Sequence, residues 1–279
     1  MKRSLCGVTK KHYMENRIQI EGTGIPIVLV HGMGGPKIWS PVVEKLKEKF
    51  MVIVPTFPGF LIEDGKIDYS DGLYVDFLIQ VREFLNIEKW NVVGISMGGR
   101  TAINYGLREK NHISSLTLID SIGVGYMSPI LSLPLIKKVF PALIKGILAN
   151  KVNRNKLAKQ DFVNHDGAAC KNCISWFNNL VGNKTVRSNF AEIISCVGIP
   201  QKKWQTKLNK LDMPSQILWA SDDKTAPVQW GEWLNKKIPR SEFKVLNGYK
   251  HMAILERPDF FIDLIVDFAT SKSYVHNSK

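Results

Sequence analysis

The sequence predicts an α/β fold: a mostly parallel central sheet flanked by helices, with a helical segment inserted late in the chain. Three observations predict it. Short β-branched, apolar runs alternate with amphipathic stretches, the pattern of repeated strand–helix–strand units. With 279 residues and 44% hydrophobic content, the chain can bury a substantial core. Between the run ending near Asp120 and the one beginning near Gln216 lies far more chain than a strand–helix connection needs.

Taken in order, the run at 17–21 alternates polar and apolar residues and reads as an edge strand. Those at 26–30, 51–54, 91–94, 116–119, 216–219 and 242–246 read as strands covered on both faces. Helices are expected at about 39–49, 71–86, 97–108, 228–237 and 258–270. In the last, Pro258 suits the first turn, and Phe260, Phe261, Leu264, Ile265 and Phe268 recur at helical spacing as core residues.

The long interval has its own character. From Pro134 to Leu148, helical spacing gathers Ile136, Val139, Phe140, Leu143, Ile144, Ile147 and Leu148 on one face, opposite Lys138 and Lys145. An apolar face with a basic back, over the carboxyl ends of the strands, reads as a lid. The expected division is a core of residues 1–122 and 207–279 and a helical lid of residues 123–206. Residues 121–206 carry twelve Lys or Arg against Asp161, Asp166 and Glu192, so +9 of the chain's +13 sits there. Such a surface is either solvated or faces an acidic partner. No nucleic-acid motif accompanies it, and nucleic acid is not expected as a partner.

No apolar run is long enough to span a membrane, and the basic start Met1–Gly7 lacks the apolar stretch of a signal peptide. A soluble, cytoplasmic protein is expected. Of four cysteines only Cys170 and Cys173 are closely spaced. With no second pair and no neighbouring histidines, they read as reduced thiols on one helix face, not as a metal or redox site.

The stretch Gly94-Ile95-Ser96-Met97-Gly98-Gly99 joins a buried strand to a helix. It is either a tight turn or an elbow presenting Ser96 as a nucleophile. A nucleophile needs a base, an acid to orient the base, and oxyanion donors. Imidazole moves protons near neutral pH without a large pKa shift, and His251 follows the last strand; His165 in the insertion stays open. Asp222 and Asp223 follow the penultimate strand, with Asp120 as a further acid. The backbone N–H of Met97, at a helix start, and that of Met33, in His31-Gly32-Met33-Gly34-Gly35, are the expected oxyanion donors; His31 reads as a structural hydrogen-bonding residue.

Over about residues 17–270 these motifs, with Pro55-Thr56-Phe57-Pro58-Gly59-Phe60, Trp219–Pro227 and His251–Pro258, resemble the α/β-hydrolase superfamily. Its lidded esterase, lipase and carbon–carbon-bond hydrolase branch is the most similar. The resemblance implies the α/β-hydrolase fold, a triad of Ser96, His251 and Asp223 rather than Asp222, and hydrolysis of carboxylic esters of acyl groups. It implies no metal or organic cofactor. The chain departs from the usual pattern at Thr56, where an aspartate is common, and at Ala220, where glycine is usual. Family members that cleave the methyl ester of an acyl chain on an acidic acyl carrier protein, in pimelate synthesis for biotin, fit both the apolar lid face and its basic excess. On that comparison Lys151, Arg154 and Lys156 are candidate partner contacts, and Phe140 and Leu143 candidate substrate contacts. Carbon–carbon hydrolases commonly carry Trp where Met252 stands. A ligand receptor retaining the triad is the third reading.

Overall fold

In the computed structural model, which describes residues 10–124, 134–197 and 202–273, the expected strands form a single sheet. They are β1 (Ile18–Glu21), β2 (Ile25–Val30), β3 (Phe50–Pro55), β4 (Trp90–Ile95), β5 (Ile113–Ile119), β6 (Ser215–Ala220) and β7 (Ser241–Leu246). Their spatial order is β1-β3-β2-β4-β5-β6-β7; β1 runs antiparallel to β3 and every other pair is parallel. The two outer strands are half-exposed, whereas β4 and β6 are buried at every position, which is why they read as unbroken apolar runs.

In chain order the helices are α1 (Lys10–Glu15), α2 (Ser40–Leu46), α3 (Asp71–Phe84), α4 (Met97–Glu109), α5 (Pro134–Ala149), α6 (Lys151–Gln160), α7 (Ala168–Gly182), α8 (Lys184–Val197), α9 (Lys202–Gln205), α10 (Val228–Lys237), α11 (Ala253–Glu256) and α12 (Pro258–Ser273). Strand periodicity sends alternate residues to two cores. Val28, Val92, Leu116 and Ile217 pack with Leu78, Tyr105 and Leu234 from α3, α4 and α10. Ile27, Val93, Ile119 and Leu218 pack with Leu46, Phe261 and Ile265 from α2 and α12. The aromatic stripe near the C-terminus is therefore core.

This topology creates the crevice for a site. From β2 the chain passes to β3 on one side, while β4 lies on the other, so the loops leaving β2 and β4 diverge at their carboxyl ends. Those loops carry Met33 and Ser96.

Helices α5 to α9 fill the interval between β5 and β6. The apolar face of α5 is wider than its contact with α8: Ile144 and Leu148 pack inward, but Val139 and Leu143 are 49% and 59% exposed. Cys170 and Cys173 on α7 are free thiols buried around Phe162, and burial pushes the Cys173 thiol up to about 12, leaving it protonated. Residues 1–9, including Cys6, and the stretches 125–133 and 198–201 of the expected lid lie outside the described residues. None of the described helices is long and apolar enough to cross a membrane.

Candidate active site

A single residue, Ser96, separates β4 from α4, and it takes a left-handed φ of 55° with ψ −121°. This strain is held by its neighbours: Ser96 N–H donates to Ile119 O at 2.9 Å, and its carbonyl accepts from Ile122 N–H at 3.2 Å. Two glycines matter for close approach. A Cβ on Gly98 would strike the carbonyl of Val30, and one on Gly32 would lie 2.9 Å from Ser96 Cβ. Without side chains there, the start of α4 and the loop after β2 close around the serine.

Three chain-distant side chains meet at this point. Ser96 Oγ and His251 Nε2 are 2.9 Å apart, and His251 Nδ1 lies 2.6 Å from Asp223 Oδ2; all three residues are buried. Asp223 Oδ1 accepts from the N–H groups of Thr225 and Ala226 at 2.8 and 2.7 Å, which fixes the carboxylate plane. This arrangement suits Nδ1–H donating to Asp223 while Nε2 accepts the serine proton. Asp222 is exposed and accepts from Ser221 Oγ. His165 is exposed in a shallow hollow along α6 with Val152 and Lys156.

Met97 opens α4, so its N–H has no acceptor within the helix, and Met33 sits in the adjoining turn closed by Gly35 N–H to Gly32 O at 3.1 Å. Both expected donors therefore flank Ser96. His31 is tied by Nδ1–H to Gly32 O at 2.8 Å and by Nε2 accepting Phe57 N–H at 3.1 Å. Burial lowers its pKa to about 4, and it stays neutral. Asp120 is buried at φ 42° and accepts Ala220 N–H at 2.8 Å, on the strand where glycine is usual. Burial, then the nearby Asp223 charge, raises its pKa far above the carboxylate range.

Burial alone lowers the His251 pKa, but the carboxylate of Asp223, and behind it that of Asp161, outweigh it and push the imidazole up to about 9. A base must be neutral to take the serine proton. The expected result is that kcat/KM for an uncharged substrate rises with pH and levels above about 9; a flat profile from pH 6 to 9 would contradict it.

Ser96 and His251 line a cavity of about 330 Å³ with Met33, Ile122, Leu148, Phe177, Ile194 and Val197 among its walls. No Lys or Arg belongs to its described lining; besides His251 the one ionisable group there apart from a buried thiol is Asp161. Phe140 and Leu143 are not in the lining, because α5 turns Leu148 to the cavity instead. Lys151 and Lys156 are exposed, but Arg154 is corrected: it is buried, with its guanidinium donating to Asn178 Oδ1 and to the Leu148 carbonyl at 3.1 Å. It fastens α6 to α5 and α7 rather than facing a partner.

Several contributors have no motif in the sequence. Asp64 orders the Pro58-Gly59 turn, accepting from Gly59 N–H at 2.7 Å and Leu61 N–H at 2.9 Å and pairing with buried Arg17. Arg100 on α4 pairs with Asp71 at 2.8 Å. Asp161 accepts from Thr225 Oγ1 at 2.7 Å; as the one acid between residues 134 and 165 it had a compositional signal, but nothing assigned it to the site.

An open α/β sheet with a strained serine elbow at its switch point defines a hydrolase. The chain belongs to the alpha/beta hydrolase fold family, whose model matches residues 25–258. It is 24% identical to the human monoacylglycerol lipase ABHD6, over 91% of this chain and 77% of that protein. It is also 24% identical to a 2-hydroxy-6-oxo-2,4-heptadienoate hydrolase of Pseudomonas putida, over 93% and 94% of the two chains. Among solved structures, a thermophilic esterase from Thermogutta terrifontis superposes with a TM-score of 0.76 at 20% identity, covering 91% of this chain and 93% of that one.

Proposed function

We propose that this protein is a serine hydrolase of uncharged carboxylic esters with apolar acyl groups, with residues 123–206 acting as its lid. Ser96 Oγ attacks the ester carbonyl as His251 Nε2 takes its proton. The oxyanion is held by the N–H groups of Met33 and Met97, and His251 returns the proton to the departing alcohol. Water then repeats the sequence on the acyl-enzyme, regenerating Ser96 and releasing the acid.

The observation that carries the ester reading is the absence of Lys and Arg from the cavity's described lining. A dienoate, the substrate named for the Pseudomonas putida relative, brings a carboxylate that needs a cation or a set of donors when desolvated. Here it would meet Asp161, and the nearest arginine of α4 is already paired with Asp71. An acidic carrier protein has the exposed Lys151 and Lys156 in its favour, while Arg154 is withdrawn from it. A panel of acyl methyl esters of graded chain length, run beside a ring-cleavage dienoate, tests the reading. Turnover of the esters at least tenfold above the dienoate is expected; the opposite order assigns carbon–carbon hydrolysis.

A further inference from the structure

One end of the cavity is polar. Gln160, Asp161 and Thr225 gather there with His251, against apolar walls elsewhere that include Leu148, Phe177, Ile194 and Val197. Asp161 caps the C-terminus of α6 and is held at two points: its carbonyl accepts Met252 N–H at 2.9 Å, and its Oδ1 accepts Thr225 Oγ1–H at 2.7 Å. Met252 follows His251, and Thr225 N–H is bonded to Asp223. Asp161 is thus tied to both loops of the triad, by its backbone to the His251 loop and by its carboxylate to the Asp223 loop. Its second oxygen, Oδ2, has no hydrogen-bond partner among the described residues.

Resting on the ester reading above, the stereochemistry of the intermediate says what lies beside that oxygen. The oxyanion points to Met33 and Met97, so the leaving oxygen must sit at His251 Nε2, which protonates it. The alcohol portion then runs along the His251 side of the cavity, where Asp161 is bonded to the next residue. An apolar alcohol would strip water from the carboxylate and give nothing back, and an anionic one would be repelled. An ammonium would meet the imidazolium that forms at His251.

We infer that Asp161 is a specificity-determining residue that accepts a hydrogen bond from a hydroxyl on the alcohol portion, so that esters of hydroxylated alcohols are the preferred substrates. A carboxylate already held by Thr225, on a backbone tied to Met252, loses little freedom on accepting this bond, which favours discrimination.

The test compares the glycerol monoester with the propyl ester of one medium-chain acid, equal in carbon count and differing by two hydroxyls. For the wild-type protein, kcat/KM is expected to be about tenfold or more higher for the glycerol ester. In Asp161→Ala this ratio falls toward one, whereas Thr225→Val, which removes the tie but keeps the carboxylate, leaves the ratio above one. Asp161→Asn gives a second readout that misfolding cannot mimic: turnover of an ester whose alcohol carries a carboxylate rises about tenfold. Equal wild-type turnover of the two esters, an unchanged ratio in Asp161→Ala, or preference for a matched choline ester would overturn the inference while the esterase reading stands. If the wild type hydrolyses no ester at all, the esterase reading itself fails and the inference goes with it.

Discussion

Replacing Ser96 with alanine is expected to lower kcat on an activated ester by a factor on the order of 10⁶, with the fold unchanged. Among the described residues the side chain makes one hydrogen bond, to His251 Nε2 at 2.9 Å, and alanine has the same backbone strain to bear at φ 55°. Circular dichroism and thermal unfolding should therefore match the wild type, and a serine-directed fluorophosphonate should label the wild type but not the variant. Asp223→Asn should cost a factor of about 10⁴. Its amide oxygen can keep the bonds from Thr225 and Ala226, but its NH₂ then faces His251 Nδ1 and forces the imidazole into the wrong tautomer. Retention of most activity in Ser96→Ala would remove the acyl-enzyme mechanism. Activity without labelling of Ser96 would point the same way, and neither labelling nor turnover in the wild type would favour a ligand receptor.

Arg100→Met should have the largest effect on stability without touching the reacting atoms. Arg100 is buried on the nucleophile helix; Nε and Nη2 bond the two oxygens of Asp71 at 3.0 and 2.8 Å, and Nη1 donates to Val197 O at 2.8 Å. It thus joins α4, the start of α3 and the end of α8. Methionine fills much of the volume but strands the Asp71 carboxylate, and breaking such a pair from one side costs about 3–5 kcal/mol. Urea unfolding should show that loss, with a fall in Tm on the order of 10 °C. Adding Asp71→Asn should recover part of it, since the remaining partner no longer carries a charge. A loss below about 1 kcal/mol would mean that the pair is solvated in the native ensemble.

The strands were legible because each is buried in a way that its own residues announce. The alternation of Ile18-Gln19-Ile20-Glu21 marks an edge, and Trp90 to Ile95 marks a strand covered twice. The elbow was legible for a similar reason: the chemistry of a strained strand–helix junction demands small residues at fixed places, and Gly94, Ser96 and Gly98 occupy them. The inserted helices were legible only in outline. Their apolar stripe says that something is covered, but not how much of it. Leu143 and Leu148 share that stripe in the sequence, and only packing against α8 separates the exposed one from the one that reaches the cavity. Arg154 is the sharper example: as a letter among lysines it is surface charge, yet its guanidinium is spent inside on Asn178 and the end of α5.

By itself the sequence determined the strands, the serine junction and the loops bearing Met33, Asp222, Asp223 and His251, because these follow from local periodicity and residue type; the family and the choice of Asp223 came from the resemblance of its motifs. Tertiary structure alone decided that Asp161, 65 residues beyond Ser96, lines the same cavity, and that Asp64 orders the Pro58-Gly59 turn. Hydrogen bonds and burial between distant segments carry no local signature, since they are fixed only when the whole chain packs.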